Sequence, residues 1–192
     1  MNIDIIFGDF IVSDFLGLDV KTTENLCYDL KNKDKGIFVS NKDGWHSKAM
    51  KYTDDLMLPF RNVADLSCDK ANTLKDKLGF SDKVRLELKE FWINISPKGA
   101  WMETHTHGDC FITCVYYVKV PEKAGNITFI KESKKYSKEY ITGQSLYTEH
   151  FHEERPVADK ILMFPPWLSH KVEKNEDDDD RISIAMNFKI VR

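Results

Sequence analysis

The segment VRLELKEFWINIS, residues 84–96, alternates apolar and polar side chains along its whole length. Alternation at period two sorts side chains onto opposite faces, so this is a long strand with one face buried. A strand of that kind needs sheet partners, and the sequence behind it supplies them. Apolar, β-branched stretches follow at residues 111–120, 126–130, 160–164, 170–173 and 182–191. The turn-like segments SPKGA, PEKAG, PPW and NEDDDD separate them. Many strands at short spacing, behind a partly helical N-terminal region, predict a mainly β chain, a sandwich or barrel with helices on one side.

The N-terminal region carries weaker signals. Residues 3–12 read as a strand. Thr22 or Thr23 can cap a helix running to about Lys31, with Leu26 and Leu30 on one face. GIFVS at 36–40 reads as a short strand and NKDGWHS as a turn. Val63, Leu66, Ala71, Leu74 and Leu78 recur near helical spacing, with Asn62 as a candidate N-cap and Gly79 as the stop. That helix is expected to cover a sheet. The expected organisation is a single domain over residues 1–192, an elaboration at 1–80 preceding a core barrel at 81–192.

A chain of 192 residues buries a core without disulfides. Cys27, Cys68, Cys110 and Cys114 form no CxxC pair and read as reduced thiols of a cytoplasmic protein. With 28 Lys and Arg against 31 Asp and Glu, the net charge of −3 lacks the basic excess of a dedicated nucleic-acid binder. No apolar run approaches the roughly 20 residues of a membrane span, and MNIDIIFGDF has no basic leader. A membrane partner is therefore not expected. The acidic run at 177–180 reads as a hairpin turn and lacks the spacing of a calcium loop.

The candidate chemistry lies in the histidines. His105 and His107 sit in METHTHGDC, and residues at i and i+2 of an extended segment point to the same side. Two such imidazoles can hold one metal ion. His107 and Asp109 share the same spacing, so a His-x-Asp pair is also available. His170, after FPPWLS, can complete a facial set across a β-sandwich. Two histidines and a carboxylate with open positions suit non-haem Fe(II). Arg181 and Ser183, in RISIAMNF, can face the interior together. A buried guanidinium needs an anionic partner, and a ligand carboxylate bound bidentately meets that need. A metal cage beside a carboxylate clamp fits a metal with a dicarboxylate co-substrate. Bland alternatives exist for each feature: Arg181 can pair with the adjacent aspartates. A zinc set of His105, His107, Cys110 and Cys114 is possible but places Cys114 inside an apolar strand. His150 and His152 fall in a highly charged stretch, TEHFHEE, that reads as a loop.

These pieces together resemble the 2-oxoglutarate- and Fe(II)-dependent oxygenase family found in bacteria and phages. The matching segments are GWHS (44–47), FWINISPKGAWMETHTHGD (91–109), CVYYVKVPEKAGNITF (114–129), FPPWLSHKV (164–172) and RISIAMNF (181–188). The resemblance implies a double-stranded β-helix, or jelly roll, with flanking N-terminal helices. It implies a hydroxylase in which 2-oxoglutarate chelates Fe(II) and docks its far carboxylate on Arg181 and Ser183, with dioxygen as the second co-substrate. The family's His-x-His-Pro pattern matches His105 and His107, with Gly108 in place of Pro, and makes His170 the distal ligand. The wider superfamily's His-x-Asp pattern instead favours His107 with Asp109; the first pair is preferred. Asn94 and Tyr117 are further pocket candidates. Trp45, His46, Trp92, Trp101 and Trp167 are candidates for the entrance. The loops at 41–60 and 131–156, with lysines at 131–138, are expected to set an unidentified substrate, whether protein, nucleic acid or small molecule. Homodimers are common among jelly-roll oxygenases, and a phage-encoded member works in the host cytoplasm. Two other classes compete: a cupin-like metal enzyme that does not use 2-oxoglutarate, and a metal-free jelly-roll binding module. Neither needs the Arg181–Ser183 clamp.

Overall fold

The computed structural model describes residues 8–131, 142–143, 145 and 148–192. Strand β1 (Val12–Phe15) leads into helix α1 (Val20–Lys33). Two short strands follow, β2 (Asn41–Lys42) and β3 (Trp45–His46). A 3₁₀ turn at Asp55–Phe60 runs directly into helix α2 (Arg61–Lys77). The remaining strands are β4 (Arg85–Ser96), β5 (Trp101–His105), β6 (Ile112–Lys119), β7 (Ile127–Ile130), β8 (Phe151–Glu154), β9 (Lys160–Phe164), β10 (His170–Val172) and β11 (Arg181–Val191).

The strands form two sheets. One has six strands in the order β1-β9-β6-β11-β4-β3, the other five in the order β2-β5-β10-β7-β8. From β4 onward the pairing is nested: β4 with β11, β5 with β10, β6 with β9 and β7 with β8, all antiparallel. First pairs with last and each inner pair closes inside it, which is a double-stranded β-helix. The expected fold class is therefore the observed one.

Alternation along the large sheet feeds two cores. Phe91, Ile93, Ile95, Cys114, Tyr116, Ile182, Ile184, Met186 and Phe188 face outward and pack with Cys27, Leu30, Val63, Ala71 and Leu74 of the helices. The helices thus cover the outer face of the sheet, as expected of the second one. On the inner face Tyr117, Leu162 and Phe164 pack with Ile127 and Phe129 of the smaller sheet. Because both faces of β11 are covered, Arg181, Ser183, Ala185 and Asn187 can only point between the sheets.

Several local expectations are corrected. The strand read over 3–12 begins instead at Val12; residues 8–11 are not strand, and 3–7 lie outside the described residues. Asp19, not Thr22 or Thr23, caps α1: its carboxylate accepts from Lys21 N at 3.1 Å and from the Thr22 hydroxyl at 2.6 Å. Asn62 lies inside α2, because the 3₁₀ turn buries Phe60 and delivers the chain already wound. Gly79 does end it, at φ +80°. GIFVS is not a strand; Ile37, Phe38 and Val39 are exposed. The NKDGWHS turn holds β2 and β3, one in each sheet, with Asp43 between them at φ 57°. The TEHFHEE stretch contains β8. The acidic run is a turn, held by Lys98 on Asp178 and Lys119 on Asp179, both 2.6 Å, and by the Tyr28 hydroxyl on Asp180 at 2.9 Å.

Gly125 pins the closed end of the sandwich. Its φ is +73°, and a Cβ there would lie 2.4 Å from the Lys174 carbonyl oxygen and 2.8 Å from that of Glu173. Gly125→Ala must strain the backbone and push these segments apart. Its expected cost is about 2 kcal/mol or more, read as a lowered denaturation midpoint.

Candidate functional site

The register of the large sheet stacks its inward side chains in rungs. Ser96 pairs with Arg181, Asn94 with Ser183, Trp92 with Ala185 and Glu90 with Asn187 across β4 and β11. Across β11 and β6, Ser183 pairs with Tyr117, Ala185 with Val115 and Asn187 with Thr113. The rungs form one wall of a cavity of about 370 Å³ that also takes in His46, His105, His107 and His170.

The three histidines meet there. His105 ends β5 and His170 begins β10, and the two are direct register partners. His107 lies beyond β5, tied down by its N–H donating to the Pro166 carbonyl at 2.8 Å. The candidate ligand atoms of all three lie within 4.8 Å of one another. The ring centroids are 4.4 Å apart for His105 and His170, and 5.2 Å for His107 and His170. Phe129 and Phe164 wall the His170 ring at 5.8 and 4.9 Å.

Backbone carbonyls select the tautomers. His105 Nδ1 lies 2.7 Å from the Glu103 oxygen and His170 Nδ1 2.8 Å from the Leu168 oxygen. A carbonyl accepts only from a protonated nitrogen, so each Nδ1 is the donor and each Nε2 keeps its lone pair for a ligand. Carbonyl partners on the far nitrogen are the usual support of metal-binding imidazoles. Burial, followed by the neighbouring His105 ring, holds the His107 imidazole down to about 4 and that of His170 down to about 3. Both rings are thus neutral at neutral pH, the state in which an imidazole nitrogen can bind a metal. Between these values and the ordinary 6.5 the unfolded chain binds more protons than the folded one. The metal-free protein is therefore fully stabilised above pH 6.5 and loses stability as the pH falls through that window. The expected result is a denaturation midpoint that declines already between pH 6.5 and 5, above the carboxylate range, and declines less in His107→Gln.

Arg181 closes the cavity's far end. It is 2 % exposed. One guanidinium nitrogen, Nη1, donates to the carbonyls of Ala124, Glu173 (3.1 Å) and Gly125 (3.4 Å). Among the described residues no carboxylate pairs with it, and the adjacent aspartates are engaged elsewhere. Burial lowers its pKa to about 10, which leaves it charged at neutral pH. Beside it, burial pushes the Tyr117 phenol up and keeps it neutral. Asn94 Oδ1 is buried with no hydrogen-bond partner. A lone cation and an orphaned polar atom in one cavity are a ligand's unmet complement.

The remaining candidates separate cleanly. Asp109 does not join the histidines: its φ of 49° turns the carboxylate fully outward, onto Lys89 at 3.2 Å. Cys114 is buried in the outer core, and Cys110 sits 3.6 Å from the Thr113 hydroxyl, so the zinc set does not assemble. All four cysteines are free thiols. His152 pairs with Glu154 at 3.1 Å on β8 and is not one of the three converging histidines. Of the entrance candidates, His46 and Trp92 line the cavity, their rings stacked at 6.0 Å. Trp45 donates to the Asp34 carbonyl, Trp167 donates to Asp9, and Trp101 lines a separate surface cleft. From the 41–60 loop His46 and Ala49 reach the cavity. Most of the lysine cluster at 131–138 lies outside the described residues. Glu90 and Asn187 were missed; their alternation with Trp92 and Ala185 was the signal that could have found them.

Residues 90–187 match the family model described as "Putative 2OG-Fe(II) oxygenase". No curated protein matches the sequence. Solved structures share the fold. A prolyl-4-hydroxylase from Pseudomonas putida is 14% identical, with 93% of this chain and 91% of that one covered and a TM-score of 0.57. The viral collagen prolyl hydroxylase of Paramecium Bursaria Chlorella virus-1, in its 2-oxoglutarate complex, is 15% identical over 94% and 96% of the two chains, at 0.56. HygX from Streptomyces hygroscopicus, with nickel and 2-oxoglutarate bound, is 10% identical over 93% and 82%, at 0.62.

Proposed function

The chain belongs to the 2OG-Fe(II) oxygenase family, and from that premise we propose that His105, His107 and His170 hold the Fe(II) while Arg181 and Ser183 anchor the far carboxylate of 2-oxoglutarate. The protein is an Fe(II)- and 2-oxoglutarate-dependent oxygenase, and hydroxylation of a substrate C–H bond is the reaction we assign to it. The observation that carries the ligand reading is the convergence of three imidazole ligand atoms in the cavity that Arg181 closes.

The donor set fits the cofactors. Imidazole suits iron, and the three side chains offer no thiolate. Three neutral ligands leave the whole charge of Fe(II) uncompensated, so a dianionic co-substrate is favoured more than it would be beside a carboxylate ligand. When bound, Fe(II) and 2-oxoglutarate supply the oxidative chemistry, converting the 2-oxo acid and dioxygen to succinate, carbon dioxide and an oxidised substrate.

The chain's residues position these groups. The carbonyls of Glu103 and Leu168 orient two of the imidazoles. Phe129, Phe164 and Val115 exclude water around them. Arg181 is itself oriented by three carbonyls, so its planar fork faces the cavity in one direction. Ser183, Tyr117 and Asn94 offer hydroxyl and amide groups on the neighbouring rung. Four free thiols support work in a reducing compartment such as the cytoplasm, and among the described residues no helix is long and apolar enough to cross a membrane.

The test is anaerobic titration of the metal-free protein with Fe(II) and then 2-oxoglutarate, followed by visible absorption. A weak charge-transfer band that needs both additions is expected. Iron bound tightly without such a band would return the cupin-like reading; no iron binding would leave a binding module.

A further inference from the structure

The outermost rung of the cavity wall carries a charge that neither the metal nor the co-substrate uses. Glu90 on β4, Asn187 on β11 and Thr113 on β6 are register partners. The Thr113 hydroxyl donates to Asn187 Oδ1 at 2.9 Å, and Asn187 Nδ2 donates to Glu90 Oε1 at 2.7 Å. Asn187 and Thr113 are buried. The amide oxygen faces a hydroxyl donor and the amide NH₂ faces a carboxylate, so each group meets its complement. Glu90 is thereby held in one position. It has no ion-pair partner among the described residues. Lys89 is engaged elsewhere, donating to the Asp109 carbonyl at 2.7 Å and its carboxylate at 3.2 Å.

Glu90 shares the cavity with the apolar side chains Ile37, Val39 and Ala49. Its depth follows from the ladder. The Trp92 ring lies 5.7 Å from that of His107, so the histidines sit level with the Trp92–Ala185 rung. Arg181 lies on the inner side of that level. Glu90 lies one rung, about 7 Å, on the outer side.

We infer that Glu90 is a specificity-determining residue that binds a cationic nitrogen, ammonium or guanidinium, of the primary substrate. The inference rests on the oxygenase reading and names the substrate class of that site. A half-buried carboxylate with a single neutral donor keeps unused lone pairs. A cation fills them with a charge-assisted bond that a neutral isostere cannot make, and an anion is repelled. One rung of separation sets the oxidised carbon a few bonds from the charged nitrogen.

The test loads the protein anaerobically with Fe(II) and 2-oxoglutarate and titrates it by calorimetry. The probes are N-acetyl-lysine amide and N-acetyl-arginine amide, against their neutral counterparts N-acetyl-norleucine amide and N-acetyl-citrulline amide. Free lysine and arginine, and lysine- and arginine-bearing peptides, distinguish a small-molecule source of the cation from a peptide one. The cations are expected to bind roughly tenfold or more tightly than their counterparts. Glu90→Gln, whose amide oxygen still accepts from Asn187, is expected to erase that ratio, and Glu90→Lys to invert it toward N-acetyl-glutamate amide. Equal binding of cation and counterpart, a ratio that survives in Glu90→Gln, or no binding of any cation overturns the inference. The visible band of the wild-type protein is read in the same samples. Its absence defeats the oxygenase reading, whereas a band without cation preference defeats the Glu90 assignment alone.

Discussion

His170→Ala is expected to remove metal binding and turnover together, the largest functional effect of any single change in the chain. His170 is 2 % exposed, and its ring contacts both other candidate ligands, with centroids at 4.4 and 5.2 Å. Losing one of three ligands should cost more than the roughly 100-fold upper range typical of changes outside the ligand shell. The truncation also leaves a void beside Phe129 and Phe164, at about 3 kcal/mol by analogy with other buried ring deletions. Activity alone would confound the two effects. The decisive measurement is the metal-induced rise in melting temperature, because only a ligand that binds the folded state raises it. The wild-type protein should gain about 2.7 kcal/mol at a free metal concentration 100-fold above its Kd. His170→Ala, melting lower, should gain nothing. Asp109→Ala should gain as much as wild type, since its carboxylate points into solvent. A shift that persists in His170→Ala, or disappears in Asp109→Ala, would reverse the ligand assignment.

The Asp109 result also shows how far a sequence reading can reach. His105, His107 and Asp109 are evenly spaced, so extended geometry alone offers either pair. The difference lies in one backbone angle: Asp109 adopts a left-handed φ of 49°, and the strand does not continue through it. Spacing cannot reveal that. Alternation did mark β4 as a long strand and set Arg181 and Ser183 on one face of β11, because both strands were long enough to carry several repeats. It did not say that the apolar face of β4 looks outward to the helices, and Asn94 and Tyr117 stood only as further pocket candidates. It missed β2 and β3, where two residues are too few to carry a period, and β8, whose charged TEHFHEE has no apolar face to show. Those strands exist because neighbouring strands offer them unpaired edges, a tertiary cause with no local signature. GIFVS failed in the opposite sense. It looks like a strand, yet after Gly36, at φ 74°, it runs as an exposed apolar lip tied to β3 by the Ile37 N–H on the His46 carbonyl at 2.8 Å. The Glu90–Asn187–Thr113 rung needed the register of three strands, with an irregularity between Asn187 and Phe188, and no single segment contains it.

Arg181→Lys should produce the second large effect, a selective loss of 2-oxoglutarate affinity. On the proposed assignment the Arg181 side chain has two tasks on opposite sides. Nη1 satisfies the carbonyls of Ala124, Glu173 and Gly125, and the remainder of the guanidinium faces the cavity. Arg181→Ala abandons both tasks. It orphans buried carbonyls at about 1–3 kcal/mol, so its weak co-substrate binding would say little about the clamp. A lysine ammonium can satisfy carbonyls and keeps the positive charge, but it is a point charge without the planar fork. One charge-assisted hydrogen bond is worth about 1.5–3 kcal/mol, so the Kd for 2-oxoglutarate should rise roughly 10- to 100-fold. Metal affinity should stay within about twofold, because Arg181 does not belong to the histidine cluster. Ser183→Ala should weaken 2-oxoglutarate less, by the worth of one neutral hydrogen bond, about 1 kcal/mol. These values come from titrating 2-oxoglutarate into the metal-loaded variants while following the visible band. If Arg181→Lys binds 2-oxoglutarate as tightly as wild type while its metal site is intact, the carboxylate docks elsewhere. Asn94, whose buried oxygen lacks a partner, would then be the next residue to substitute. The two experiments divide the site along its axis. On the proposed assignment the histidines answer for the metal and Arg181 for the co-substrate, and a variant that lost both in equal measure would show that the two ends of the cavity do not act separately.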